Sequence, residues 1–195
     1  MTPPVDPNRV AAAERFVIAQ RFTALVNRYD VSLPASDGLS PGEPVCFVEQ
    51  KRLAFKEQVD FRLPDGQTSL FRFKARSVVD LGATYDVTAA DGTPIGTFKK
   101  EGMKSLLRST WRLSQPGQPD VIGQERSMPI ALLRRAQDLI PLPFHFDFDA
   151  NGQPILTVER QRTLRDRYLV LIHVPGLDRR LAIAMGVALD ALQQR

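Results

Sequence analysis

From Leu181 to Leu189 the chain reads LAIAMGVAL, nine consecutive residues without one polar side chain. Neighbouring positions of an α-helix point about 100° apart, so a helix built from this run is apolar on every side. Such a helix must be enclosed. A bilayer does not enclose it, because a spanning helix takes about 20 apolar residues. Asp178, just after Pro175-Gly176, is placed to act as an N-cap, and the spacing predicts a helix over 178–193. Deleting Leu181 to Arg195 is therefore expected to unfold the domain. The awkward residue is Asp190, whose carboxylate must reach a mouth of the enclosure or find a partner such as an arginine.

Most of the remaining chain reads as short alternating segments broken by turn residues, the pattern of an all-β domain. Val59, Phe61 and Leu63 alternate with Gln58, Asp60 and Arg62, then comes Pro64-Asp65-Gly66, and Phe71-Arg72-Phe73-Lys74-Ala75-Arg76 alternates again. This is a hairpin. Pairing Phe61 with Phe71 across a loop of Pro64 to Thr68 keeps both apolar faces on one side and sets Asp60 opposite Arg72.

A weak internal repeat organises the rest. Gly42-Glu43-Pro44-Val45, Gly92-Thr93-Pro94-Ile95 and Gly152-Gln153-Pro154-Ile155 share a G-x-P turn followed by a β-branched residue. Glycine supplies left-handed turn geometry, and proline is tolerated at the first position of a strand. Tyr29-Asp30-Val31-Ser32 and Tyr85-Asp86-Val87-Thr88 precede two of these turns as matching words. Phe16 to Arg21, Thr110 to Ser114, His145 to Phe148 and Arg167 to Val174 are further strands. The 16–31 region also scores as helix on propensity, and the match of Tyr29 to Ser32 with the later word favours strands. A second helix is predicted over Met128 to Ile140, with Ser127 as N-cap and Pro129 in its first turn.

In a mainly β chain, what can enclose a helix is a closed antiparallel barrel of roughly eleven or twelve strands. A helix from Arg179 to Leu192 is about 21 Å long at 1.5 Å per residue, near the height of a barrel of short tilted strands. The small residues Ala182, Ala184, Gly186, Ala188 and Ala191 keep it thin enough to fit. The predicted organisation is a flexible N-terminus over 1–10 and a single barrel domain over 11–195.

The order of hairpins, the Tyr-Asp-Val words and the final strand followed by an apolar helix resemble the tubby C-terminal-like superfamily, which includes the LURP-one-related proteins and the phospholipid scramblases. The similarity is strongest over Val45 to Leu113, with FRFKARSVVDLGATYDVTAADGTPIGTFKKE at its centre. The resemblance implies a barrel of about 12 strands around its C-terminal helix. It also implies contact with lipid headgroups, since tubby-type members bind phosphoinositides. The chain departs from scramblases in having no extended hydrophobic anchor and no cysteine cluster, which counts against lipid translocation.

Charge points to the same class of ligand. The chain carries 26 Lys and Arg against 22 Asp and Glu, a formal +4 that leans toward anions without the density of a nucleic-acid binder. Arg72, Lys74 and Arg76 fall at i, i+2 and i+4 and so on one strand face. Lys99, Lys100, Lys104, Arg108 and Arg112 follow with one acid, Glu101, among them. These eight residues are the candidate anion or lipid-headgroup site, and a plain solvated strand face is the competing reading. Trp111 beside Arg108 and Arg112 reads as core, with a membrane interface as the alternative. Asp147, Asp149, Asn151 and Gly152 match the first half of a calcium loop, but position twelve is Val158, and a hairpin turn explains the glycine equally well.

Enzyme signatures are lacking. There is no G-x-S-x-G elbow, Walker loop or dinucleotide fingerprint. His145 and His173 sit among apolar neighbours and read as packed strand residues, and Cys46, the single cysteine, reads as core. One cysteine suits a reducing cytoplasm, and no secretion signal opens the chain. The expectation is a non-enzymatic binding module without a cofactor, cytoplasmic and peripheral at the inner membrane surface, with an enzyme of unrecognised chemistry as the last alternative. Its expected partner is an anionic membrane or, alternatively, another protein, and not nucleic acid.

Overall fold

The computed structural model describes residues 5–22, 26–51, 58–76, 83–101, 109–126, 145–161 and 167–193. Its strands are β1 (Arg15–Phe22), β2 (Val26–Pro34), β3 (Pro41–Lys51), β4 (Gln58–Arg62), β5 (Ser69–Ala75), β6 (Thr84–Ala89), β7 (Pro94–Lys100), β8 (Thr110–Ser114), β9 (Val121–Glu125), β10 (His145–Ala150), β11 (Gln153–Gln161) and β12 (Arg167–Ile172). Each pairs antiparallel with its neighbours in sequence, and β1 pairs with β12 to close a twelve-stranded barrel. Two helices complete the described chain, α1 (Pro7–Ala12) and α2 (Arg179–Gln193). The helix predicted over Met128 to Ile140 lies outside the described residues.

Strand alternation sends one set of side chains inward. Phe61, Phe71, Phe73, Phe98, Trp111, Phe146 and Phe148 are almost wholly buried, with Phe61 stacked on Phe71 at 4.1 Å between ring centroids. α2 runs along this lining, and Leu181 to Leu189 are buried without a break. Burying apolar surface at about 25 cal/mol per Å² is what holds helix and wall together. The packing leaves little slack. A Cβ on Gly186 would come within 2.8 Å of Ile18 and 2.9 Å of Val170, so there the helix lies against the wall with no room for a side chain.

The register confirms the predicted hairpin. Phe61 faces Phe71 and Asp60 faces Arg72, and the Leu63 N–H bonds the Thr68 carbonyl at 2.9 Å to close the loop. The G-x-P repeat proves to be a bulge as well as a turn. Pro44 pairs with Ser32, Pro94 with Thr88 and Pro154 with Asp149, and at each the ladder slips by one residue. Proline offers no N–H to the ladder, and the extra residue is in every case the β-branched one that follows, Val45, Ile95 or Ile155. β4 and β5 slip in the same way at Leu70 without a proline.

β9 escapes the pattern reading because its inward positions are Val121, Gly123 and Glu125, which do not alternate apolar with polar. Gly123 is required there: a Cβ would meet the Phe148 ring at 2.2 Å. Within 1–10, the described residues from Val5 onward pack against the barrel. Asp6 caps α1 by accepting from the Asn8 N–H at 2.9 Å, Val5 is buried, and Arg9 pairs with Glu43 at 2.6 Å. Residues 5–12 thus dock on the barrel rather than lead up to it.

Asp190 finds partners, as an enclosed carboxylate must, and two of them are tyrosines. It is buried inside the barrel, and its carboxylate accepts hydrogen bonds from the Tyr29 hydroxyl at 2.6 Å and from the Tyr168 hydroxyl. Gln20 Nε2 donates in turn to the Tyr29 oxygen at 3.0 Å. Among the described residues no helix is long and apolar enough to cross a membrane.

Candidate functional site

β5 turns Phe71, Phe73 and Ala75 inward, so Arg72 and Lys74 face out, and Arg76 follows at the strand end. The ladders then set cations from other strands beside them. Arg76 N–H bonds the Thr84 carbonyl, Thr84 faces Lys99, and Lys99 faces Arg112. Adjacent strands lie about 4.8 Å apart, so Arg76, Lys99 and Arg112 form one transverse row across β5 to β8. Lys74 stands in the next row, opposite Asp86.

Six of the eight expected basic residues are therefore placed. Lys104 and Arg108 lie outside the described residues. Lys100 turns away from the row and holds its ammonium 5.9 Å from the centre of the Trp111 ring. Trp111 itself is core, its side chain almost wholly buried between Phe98 and the strands beside it.

Acids interleave with this row. Asp86 is gripped by Arg76 through both Nε and Nη2, the shortest contact being 2.7 Å. Arg112 bonds Glu101 at 2.7 Å and Asp120 at 2.9 Å, while Arg72 lies 3.8 Å from Asp60. Hydrogen bonds donated to these carboxylates raise Arg76 and Arg112 above the usual guanidinium range. A hydrogen bond from Ser114, then one from Arg112, lowers Asp120 below the usual carboxylate range. Lys74 and Lys99 make no ion pair with a described residue, and Lys74 is exposed. The face is thus a charged carpet in which paired arginines flank two available lysines.

The next strands round the barrel, β9 to β11, hold a second polar cluster. Arg126 Nε and Nη2 clasp the two oxygens of Asp147, each at 2.7 Å, and Arg126 also reaches Glu159 at 3.3 Å. Thr157 donates to Asp147 at 3.2 Å and contacts His173 Nε2 at 3.0 Å. The hydrogen bond from Arg126 holds Asp147 below the usual carboxylate range. The half-motif Asp147, Asp149, Asn151 is therefore a hairpin whose turn is formed by Asn151 at φ 52° and Gly152 at φ 82°, with its first acid engaged by arginine. Among the described residues no group of three or more His, Cys, Asp and Glu is arranged to hold a metal ion.

Both histidines depart from the packed reading. His145 and His173 are on the outer face, part-buried and exposed respectively. Cys46 does lie in the core, and burial pushes its thiol far up.

The family model described as LURP-one-related matches residues 45–190. No curated protein and no solved structure matches the chain.

Proposed function

Starting from a chain that belongs to the LURP-one-related family, within the tubby-like superfamily, we propose a non-enzymatic binding module that recognises anionic phospholipid headgroups through the outer face of β5 to β8. The observation that carries this reading is the meeting of Lys74, Arg76, Lys99 and Arg112 from three strands on one face, with the two lysines outside the ion pairs. A basic side chain near an anionic surface is worth about 1 kcal/mol. Lys74 and Lys99 meet phosphates directly, whereas Arg76 and Arg112 must first share or release their carboxylates. Binding is then modest and falls steeply with salt.

Co-sedimentation with phosphatidylserine-containing and neutral phosphatidylcholine vesicles tests this at low salt. The expected result is binding to the anionic vesicles alone, reduced roughly a thousandfold, and so to baseline, in Lys74→Glu/Lys99→Glu, which exchanges two attractions for two repulsions. Equal binding by that variant, or no binding by the unaltered chain, overturns the lipid reading.

A second reading, a protein-interaction adaptor, draws support from the alternation of sign. Arg76 beside Asp86, and Arg112 between Glu101 and Asp120, complement a surface of mixed charge better than a uniformly anionic one. Failure on every vesicle with retained folding favours it.

A further inference from the structure

Beside the mouth where α2 enters the barrel lies a cavity of about 550 Å³. Its floor and walls are largely apolar: Val5 and Val10 from the docked N-terminal segment, Val45, Leu70 and Phe71 from the barrel rim, and Ile183 from α2. Val45 and Leu70 are bulged residues of their hairpins, turned toward the rim by the slip in the ladder. Volume and lining match a pocket for an apolar body with a few polar contacts.

The polar contacts are unusual in their charge. Arg179 lines this cavity at 9% exposure, and its bonds to described residues run only to main-chain oxygens. Nε donates to the Ala13 carbonyl at 3.0 Å, and Nη1 donates to Pro175 at 2.6 Å and Leu177 at 2.7 Å. Those bonds use three of the five guanidinium N–H groups and leave the two on Nη2 with no bond to a described residue. No described carboxylate pairs with Arg179. The nearest in sequence, Asp178, is clasped by Arg180 at 2.7 Å. Nη2 keeps access to solvent, so an incoming anion can reach both of its hydrogens and supply the counter-ion that no described residue provides.

We infer that this cavity binds a single-chain carboxylic acid, its tail against Val5, Val10, Val45, Leu70 and Phe71 and its carboxylate on Arg179. The charge count selects the headgroup. Arg180 is neutralised by Asp178, so one cation is left over and one negative charge balances it. The tail requirement comes from the lining. The site is separate from the basic face of β5 to β8, and the inference does not rest on that face binding lipid.

Titration calorimetry of the full chain with dodecanoate, below its micellar concentration, tests the inference. The expected result is one saturable site, with dodecylammonium at least roughly tenfold weaker for want of the charge-assisted bond and acetate giving no heat. Ala11→Trp, on the exposed surface of α1 where it borders the cavity, is expected to abolish binding with an unchanged melting temperature. Lys74→Glu/Lys99→Glu is expected to bind dodecanoate as the unaltered chain does. The inference is overturned by equal affinity for the acid and the amine, by unchanged binding in Ala11→Trp, by loss of binding in Lys74→Glu/Lys99→Glu, or by no saturable binding at all.

Discussion

At the end of the barrel where α2 enters, polar groups serve the backbone. Arg179 bonds three carbonyls, and Gln115 both accepts from the Asp178 N–H at 2.7 Å and donates to the Gly176 carbonyl at 2.8 Å. At the opposite end polar side chains serve one another in the interior. Tyr29 and Tyr168 hold Asp190, Gln20 supports Tyr29, and Glu125 is buried on the wall. The first end fixes where the helix begins. The second fixes its rotation and depth, because a shift of one residue carries Asp190 away from both hydroxyls and into apolar surroundings.

Three changes break or sharpen this contrast. Removing Leu181 to Arg195 takes away both anchors and the filling between them, and it is expected to abolish cooperative thermal unfolding, read by circular dichroism; a truncated chain that still melts cooperatively refutes the plug. Asp190→Ala acts at one end alone. It leaves two buried hydroxyls without their acceptor, and the expected loss is about 2–4 kcal/mol in urea unfolding; a change under about 0.5 kcal/mol means the tyrosines do not position the helix.

The smallest effect belongs to Asp178. Burial raises its carboxyl, but hydrogen bonds from the Arg180 side chain and backbone outweigh this, so it rests below the usual range. Its contribution is complete above the unfolded value of about 3.9 and is lost as pH falls through the lower folded value. Asp178→Asn keeps an N-cap acceptor, which bonds the Arg180 N–H at 2.8 Å in the aspartate form. It is expected to cost under about 1 kcal/mol at pH 7 and progressively less as pH falls below about 3.9. A cost that persists undiminished at pH 2 assigns the effect to cap geometry and not to charge.

What the sequence discloses and what it withholds divide along similar lines. The enclosed helix, the Phe61–Phe71 register and the three G-x-P hairpins follow from patterns a few residues long, and local rules reach that far. The slip at Val45, Ile95 and Ile155 is foreshadowed by the proline, whose missing N–H disrupts the ladder, but the aim of each bulged side chain is not. The candidate site is half legible. Alternation assigns Arg72, Lys74 and Arg112 to the outer face, and the hairpin register brings Asp60 to Arg72, yet neither says anything of Asp86 or Asp120 arriving from elsewhere in the chain to pair with arginines. His145 and His173 were misleading for the same reason. Apolar neighbours in sequence point to the other side of a strand, so a histidine between two phenylalanines is an outward residue. Arg179 gives no signal at all, because its carbonyl partners include Ala13, far away in sequence.

The pairing of β1 with β12, Arg15 facing Leu171 through Ala19 facing Arg167, sets a timetable for synthesis. The first strand leaves the ribosome with one edge unsatisfied and keeps it so until the twelfth has emerged. α2 comes later still, after the strand that closes the wall. Closure and filling must then occur as one late event, or the last strand must stay ajar until the helix is in. Such long-range pairing folds slowly and leaves open strand edges exposed in the meantime. For this chain the interval before closure is the period of greatest risk of association with other chains.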